Sequence, residues 1–276
     1  MALDTAPKGW RSVARYSMLT IVALFILFPV YTTVIAALKP GNRVLDNPLV
    51  PNAFTLDVLK DAWTQGRLGR YLMNTTVVAL IITSVQLVTS IASAYAFSFL
   101  KFPFKRLVFG IFLSTMLVPL EVTLVVNRRT IDSLGWLNSF QGLTIPFFGN
   151  VFIIFLLRQY IKKIPNELWD AARIDGSSHL YFLRKVVIPM SMPIIVTVSL
   201  FAFILAWNSF AWPLLILTKE DWFPVTVSIY SFIREAGTNY NLLMAASLIS
   251  ITPVLILYFF TQKLFLESIS NFGLKQ

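Results

Sequence analysis

The stretch "DAARIDGSSHLYFLRKVVIP" at residues 170–189 is polar and charged, yet it lies between two long apolar runs. Gly176 can adopt the positive φ that commonly ends a helix. Ser177 or Ser178 can then cap a second short helix. The pattern predicts a rigid pair of short helices at a membrane surface, joined through a proline to the next apolar run.

The composition of the 276-residue chain indicates a membrane protein. It is 57% hydrophobic and 13% charged, whereas soluble domains are about 45–50% apolar and about 25% charged. The chain has no cysteine and one histidine, His179. Disulfides, thiolate catalysis and cysteine metal sites are therefore excluded. We predict no catalytic and no metal-binding residues, and we interpret His179 as a surface residue of a helix.

Six apolar stretches are long enough to cross a bilayer, which takes about 20 helical residues. They lie at about residues 16–38, 71–100, 107–126, 143–157 (extending toward 161), 191–217 and 242–266. The fold class that they predict is an all-α membrane protein with six transmembrane helices. No stretch has the composition of a separate soluble domain, so a single transmembrane domain is expected over residues 1–276.

The distribution of charge predicts the orientation of the chain. Six spans put both termini on one side, and that side carries 14 basic and five acidic residues, a net charge of +9. The other side carries nine basic and eight acidic residues, a net charge of +1. The positive-inside rule therefore makes both termini and the 170–189 stretch cytoplasmic. Because the positive charge lies at the span ends, nucleic acid is not an expected partner.

Motifs for nucleotide binding and for ion coupling are missing. There is no G-x-x-x-x-G-K-[ST] phosphate loop, so the chain is not expected to bind ATP by that route. Ionisable residues are scarce in the spans, apart from Glu121 near the outer end of the third. Proton- and sodium-coupled carriers usually keep such residues as relays. If the chain is a transporter, its energy is therefore expected to come from elsewhere. A stand-alone secondary carrier for small polar solutes and a membrane enzyme or assembly factor remain as alternatives.

The opening stretch resembles the EAA loop of binding-protein-dependent ABC importer permeases. That loop reads Glu-Ala-Ala, three residues, Gly, nine residues, then an aliphatic residue, any residue, an aliphatic residue and Pro. The matching residues here are Asp170, Ala171, Ala172, Gly176, Val186, Ile188 and Pro189. The one departure is Asp for Glu at position 170, which keeps the charge and shortens the side chain.

Further segments are similar to the carbohydrate branch of that family, the maltose and glycerol-phosphate type. They are "YLMNTTVVAL" at 71–80, "AYAFSFLKFPFKR" at 94–106 and "AWNSFAWPLLILT" at 206–218. The likeness covers nearly the whole chain and is to the smaller of two paralogous membrane subunits. It implies a type I ABC importer permease fold, a multi-pass location in a bacterial or archaeal cytoplasmic membrane, and import of a sugar or sugar-like solute.

The resemblance also implies partners and a docking site. The partners are a second paralogous permease, an ATPase dimer that binds ATP and Mg²⁺, an extracytoplasmic solute-binding protein and membrane lipid. The chain itself would hold no cofactor. Within a coupling loop at about residues 158–190, the expected ATPase-coupling residues are Asp170, Ala171, Ala172, Arg173, Asp175, Gly176 and Pro189. Arg173 and Asp175 either pair with each other or reach the ATPase.

Polar and aromatic residues in the spans are candidates for the substrate path. They are Asn74, Trp207, Asn208, Ser209 and Trp212. Indole rings can stack on sugar rings, and an amide can satisfy sugar hydroxyls. Alternatively, the asparagines bond neighbouring helices and the tryptophans belong to the aromatic belt at the membrane interface. Because no arginine or lysine lies deep in a span, a neutral sugar is favoured over a phosphate ester, unless the second permease supplies the charge.

Overall fold

The computed structural model describes residues 8–40, 50, 53–230, 232–233 and 239–273 of the chain. Both chain ends, 1–7 and 274–276, lie outside these residues, so their predicted cytoplasmic location is a matter of charge alone. The described part is helical and contains no strand. It therefore has the all-α class that the long apolar stretches predict.

Fourteen α-helices follow one another along the described chain. The first seven are α1 (Lys8–Leu38), α2 (Asp57–Gln65), α3 (Leu68–Phe99), α4 (Lys105–Ser114), α5 (Leu120–Ser133), α6 (Phe140–Thr144) and α7 (Val151–Ile161). The others are α8 (Asn166–Ile174), α9 (His179–Phe182), α10 (Ile188–Met190), α11 (Met192–Trp207), α12 (Ala211–Ile216), α13 (Val225–Tyr230) and α14 (Tyr240–Gly273). Short 3₁₀ turns occupy Thr115–Leu117, Ile145–Phe147 and Glu220–Trp222, and a π-helix occupies Leu183–Val187.

The described chain has four continuous candidate spans, and six if each of two bent helix pairs is counted as one span. Four helical segments are long and apolar enough to cross a membrane without a sharp bend: Ser12–Leu38, Leu68–Phe99, Met192–Ile216 and Tyr240–Gln262. The third predicted span bends by 98° and the fourth by 42°. The third breaks at Val118 and Pro119, which are both extended. Proline lacks an N–H and disfavours helical backbone in the residue before it, so a continuous helix cannot form there.

The described residues form two compact units. The first comes from residues 1–68 and 228–252 and contains α1, α2, part of α13 and the start of α14. The Asn241 side chain caps the C-terminal end of α1. Its Nδ2 donates hydrogen bonds to the carbonyl oxygens of Ala36 (3.3 Å) and Lys39 (2.6 Å). Carbonyls at a helix end have no partner within the helix, and in lipid such groups must be satisfied by the protein.

The second unit comes from residues 69–227 and 253–276, and two of its apolar clusters lie beside the predicted site residues. One cluster joins α3, α7, α9 and α11, and its buried members include Tyr95, Leu157, Phe182 and Val198. The other joins α3, α5, α6 and α12, and its buried members include Ile82, Ile131, Leu143 and Trp212. The first cluster contacts the predicted coupling loop, and the second surrounds the two broken spans.

The second cluster depends on a close backbone approach at Gly142. Trp212 Nε1 donates a hydrogen bond of 3.0 Å to the Gly142 carbonyl oxygen. A Cβ atom at this position would overlap the carbonyl oxygen of Trp136 and lie 3.2 Å from Ile131 Cγ2. At Gly149, in the same broken span, a Cβ would meet no atom within 4 Å.

We therefore expect Gly142→Ala to destabilise the protein by about 1–3 kcal/mol, because overpacking shifts the surrounding backbone. Gly149→Ala is the matched control and should change stability by no more than about 0.5 kcal/mol. Both effects are measured by thermal unfolding of the two purified variants, with the loss of folded protein monitored by size-exclusion chromatography. Equal stability of the two variants would contradict the packing described for Gly142.

Candidate functional site

The first helix of the predicted coupling loop ends in a Schellman motif. Helix α8 stops at Ile174, and Gly176 then adopts a φ of +77°. The Ser177 N–H donates to the Ala172 carbonyl (2.9 Å), and the Gly176 N–H donates to the Arg173 carbonyl (3.1 Å). This bond pattern defines the motif, and glycine is favoured in it because positive φ costs glycine nothing. The turn predicted at Gly176 is therefore present.

The second helix begins immediately after this turn. Of the two serines that could cap it, Ser178 does so: its Oγ accepts a hydrogen bond of 3.2 Å from the Tyr181 N–H. Helix α9 continues through the π-helix Leu183–Val187 into α10. Pro189 lies in α10, directly after the π-helix. The loop is thus helical nearly throughout and leads directly into α11.

An aromatic cluster fixes the helix pair to the cytoplasmic end of α3. The His179 ring stacks on Trp169 of α8 (centroids 4.1 Å apart, planes at 17°). His179 Nδ1 forms a hydrogen bond of 2.7 Å with the hydroxyl of Tyr95. The buried Phe182 ring meets Trp169 at 5.1 Å and Phe99 at 5.4 Å. We call Tyr95, Phe99, Trp169, His179 and Phe182 the aromatic cluster.

The role of His179 corrects the interpretation from sequence. The residue does lie at the surface, but it also bridges α8 and α3. Tyr95 and Trp169 were missed as site residues. One signal was available, since Tyr95 and Phe99 are four residues apart and share a face at the end of an apolar span. No sequence rule links that face to a histidine 84 residues away.

The two faces of α8 differ in exposure. Asp170, Ala171 and Arg173 point away from the protein, and Ile174 is 88% exposed. Trp169 and Ala172 face inward and pack against the cluster around Phe182. The predicted Ala-Ala pair is thus divided, with Ala171 on the open face and Ala172 on the packed face.

The predicted coupling residues other than Ala172 are exposed. Asp175 and Gly176 lie on the open side at the end of α8, and Pro189 is exposed further along the loop. Within the described chain, Arg173 forms an ion pair with neither Asp170 nor Asp175. Arg70 and Asp221 form an ion pair of 2.8 Å in another region. Of the two alternatives for Arg173 and Asp175, the local pair is therefore not formed.

The predicted substrate-path residues do not lie at a single cavity. Ser209 and Trp212 line one cavity of about 340 Å³, whereas Trp207 lines another of about 460 Å³. Asn74 is buried, and its Nδ2 donates to the carbonyls of Asp221 (2.9 Å) and Phe223 (3.1 Å). Asn208 Nδ2 donates to the Ile204 carbonyl of its own helix (3.0 Å). Both amides thus bond to backbone within the chain.

Broken spans beside a cavity, together with a helix pair packed at one end of the spans, are typical of a multi-pass membrane protein. The chain belongs to the family of binding-protein-dependent transport system inner membrane components, whose model matches residues 86–271. It is therefore the permease subunit of an ABC importer, located in the inner membrane, and not an enzyme. As a permease of this kind it works with other components of a transport system. This assignment replaces the alternatives of a stand-alone carrier and a membrane enzyme.

Individual relatives and a solved structure agree with this family. The chain is 33% identical over 267 residues to the sn-glycerol-3-phosphate transport system permease protein UgpE of Pectobacterium atrosepticum, covering 93% of this chain and 95% of that protein. The same protein of Shigella flexneri is 32% identical over 272 residues, covering 95% and 97%. A chain from the crystal structure of a bacterial ABC transporter involved in the import of the acidic polysaccharide alginate superposes with a TM-score of 0.82 at 25% identity, covering 95% of this chain and 99% of that one. The type I importer permease fold is thereby confirmed.

We expect His179→Ala to loosen α8, because it removes one hydrogen bond and one ring stack that together contribute about 1–3 kcal/mol. The chain has no cysteine, so Ile174→Cys introduces a single site for a spin label. Electron paramagnetic resonance of the full chain in lipid should show a more mobile label in the His179→Ala background. Tyr181→Ala, which removes an exposed aromatic side chain from the same helix, is the matched control. Equal mobility in both backgrounds would contradict the anchoring role of His179.

Proposed function

We propose that this permease subunit imports a sugar or sugar-like solute and receives mechanical work from an ATPase through the open face of α8. The observation that carries the proposal is the position of Ile174, which is 88% exposed at the end of a helix whose opposite face is fixed. Within the helix pair, Leu168, Leu180 and Tyr181 are exposed as well. On the charged cytoplasmic side these apolar side chains meet water rather than lipid, which favours a protein partner.

The charges around Ile174 suit a docking surface. Asp170, Arg173 and Asp175 are exposed and form no ion pairs with one another. Polar and charged groups that surround an apolar centre are the usual anatomy of a protein interface. We infer that Asp170 meets a basic or hydrogen-bonding group of the ATPase and that Ala171 lets the two surfaces approach closely. Ala172 lies on the opposite face of α8, and its packing against the buried cluster holds the docking face in position.

Two connections would carry a displacement of α8 into the membrane. The first is the aromatic cluster, which joins α8 to α3 through His179 and Tyr95. The second is the π-helix and α10, which continue into α11 with Val187 fully buried in the same core. Because packed cores resist deformation, movement of the helix pair would move both spans together.

The remaining partners follow from this mechanism. An ATPase dimer would bind ATP and Mg²⁺, a second paralogous permease would complete the pathway, and an extracytoplasmic solute-binding protein would deliver the solute. The transport of sn-glycerol-3-phosphate and of alginate by similar proteins supports a hydroxyl-rich solute. Among the path residues, Ser209 and Trp212 are supported by the cavity that they share. Path roles for Asn74, Trp207 and Asn208 stay predictions.

We expect Ala171→Arg to release the ATPase, because a long charged side chain would project from the docking face. Purification of the tagged chain from its native membrane should recover the ATPase with the native chain and not with this variant. The amount of ATPase recovered should fall by roughly tenfold for each 1.4 kcal/mol of docking free energy that the substitution removes. Gln159→Arg adds the same charge at an exposed position of α7 and should retain the ATPase. Full recovery with Ala171→Arg would reject docking at this face.

We expect Gly176→Pro to uncouple ATP hydrolysis from solute uptake. Proline cannot donate the bond from position 176 to Arg173, and its φ of about −65° conflicts with the observed positive value. Gly176→Asn is the matched control, because asparagine keeps the N–H and tolerates positive φ. Uptake per ATP hydrolysed, measured in proteoliposomes, should fall severalfold for the proline variant alone. Unchanged coupling with proline would reject a mechanical role for the loop.

A further inference from the structure

A group of basic side chains lies where the cytoplasmic ends of α3, α4 and α7 pack together. It consists of Lys105 at the start of α4, Arg158 in the last turn of α7 and Lys162 directly after α7. Lys105 lies close enough to Arg158 and Lys162 for their positive charges to repel its own. We call these three residues the basic cluster.

Lys105 is held by the end of α3. Its Nζ donates hydrogen bonds to the carbonyl oxygens of Ser98 (3.1 Å) and Leu100 (2.8 Å). Carbonyls at a helix end lack partners within the helix, so these two bonds stabilise the end of α3. An ammonium group has three donors, and no third acceptor among the described residues bonds to this one. One donor of Lys105 is therefore left for a ligand.

Arg158 is held by α3 and α4 together. Its Nε donates a hydrogen bond of 3.3 Å to the Phe97 carbonyl, and its Cζ lies 4.0 Å from the centroid of the buried Phe109 ring. The ring orients the guanidinium through a cation–π contact. The N–H donors on the two Nη atoms bond to no described residue. Donors of this kind bind phosphate oxygens in pairs.

The positive charge of the basic cluster is not balanced by the part of the chain that the structure describes. No carboxylate there lies within ion-pair distance of any of the three cations. The ends of α3 and α7 contribute about half a negative charge each, and the start of α4 contributes about half a positive charge. The helix ends thus offset about half of one charge among three. The first turn of α4 also has no acidic residue and no side-chain cap.

The positive-inside rule does not by itself account for this grouping. The rule concerns the number of basic residues at the cytoplasmic ends of spans and does not require them to gather. Arg106 satisfies it with an exposed side chain that forms no hydrogen bond or ion pair with a described residue. Lys105 and Arg158, in contrast, are partly buried beside each other. Like charges that lose water in this way are unfavourable unless an anion joins them.

Exposed apolar side chains adjoin the basic cluster at and after the start of α4. Phe104 is 76% exposed, Leu107 61% and Ile111 56%. Leu107 and Ile111 are one turn apart on the same face of a helix that belongs to a candidate span. Cations at the level of the headgroups, beside an apolar helix face, fit a molecule with an anionic headgroup and apolar chains.

We propose that the basic cluster binds the phosphate headgroup of an anionic phospholipid from the cytoplasmic leaflet. The Nη groups of Arg158, the remaining Nζ donor of Lys105 and the ammonium of Lys162 donate to the phosphate oxygens. The acyl chains lie along Leu107 and Ile111. The bound lipid neutralises the cluster and joins the ends of α3, α4 and α7. This site is independent of the transported solute and of docking at α8.

Quenching by brominated lipid tests the site. The chain has no cysteine, so Ile111→Cys gives this chain one position for a bimane label beside the acyl chains, and the complex with the native chain gives the labelling background. The complete importer complex is reconstituted in phosphatidylcholine with rising fractions of phosphatidylglycerol that carries bromine in its acyl chains. Quenching then yields the binding constant of phosphatidylglycerol relative to phosphatidylcholine. We expect a value severalfold above one, and a value of one would overturn the proposal.

Lys162→Gln is the decisive variant, because Lys162 is exposed and bonds to no described residue, so its loss should not affect folding. It should lower the relative binding constant by roughly tenfold, or to one where the native value is smaller, since a hydrogen bond to a charged group is lost. Arg106→Gln removes the same charge next to the cluster and is the matched control, with an expected change of no more than about twofold. Equal falls for both variants would indicate general surface charge and reject the site.

Inorganic phosphate separates a lipid site from a site for free anions. Its addition should leave the quenching unchanged, with sodium chloride at equal ionic strength as the control for screening. Loss of quenching with phosphate alone would assign the basic cluster to a free anion and reject the lipid. None of these results depends on ATPase docking, which is measured separately by recovery of the ATPase with the Ala171→Arg variant.

Discussion

The stacking of His179 on Trp169, with the bond from His179 to Tyr95, connects the cytoplasmic surface of this permease to its membrane spans. Without this contact, α8 would be joined to the spans mainly through the backbone at its two ends and the packing of Ala172. With it, one face of α8 is fixed and the other is presented to a partner. In the proposed mechanism, a partner bound at the exposed Ile174 and the neighbouring charges can move the spans because the helix that bears these residues is packed against them.

The membrane imposes a second constraint, since lipid cannot bond to backbone groups freed by a broken helix. The protein satisfies them with its own side chains. Asn150 caps α7, Gln86 donates to the Phe147 carbonyl, and Thr89 Oγ1 donates to the Phe148 carbonyl at 2.7 Å. These bonds stabilise the irregular backbone at the break in the fourth span, beside the cavity.

The aromatic cluster and the cavity of about 340 Å³ lie at different places along the same helices. The aromatic cluster uses the cytoplasmic end of α3, at Tyr95 and Phe99, whereas the cavity uses Gln86, roughly two to three turns earlier. Helix α11 links the two regions as well, because it follows the coupling loop and ends beside the cavity. A displacement at the docking face would therefore reach the cavity through two continuous helices.

Sequence patterns predicted the Gly176 turn because a Schellman motif depends on residues that are close in the chain. They did not predict that Ala171 and Ala172 face opposite ways, since which side of a helix is packed depends on its neighbours. The third span was expected as one helix, although Pro119 marked the position of its break. The proline fixes where the helix stops, but the 98° angle depends on the packing of α5 against distant residues.

The amino-acid sequence by itself predicted six apolar spans and their orientation and carried the family motif, because apolar length, charge bias and motif spacing are properties of short segments. Only the tertiary structure placed His179 on Tyr95, 84 residues away, and Gln86 on Phe147, 61 residues away. It alone placed Gln86 and Glu121 in the lining of one cavity. Contacts between distant segments follow from how helices pack, and no local pattern records that packing.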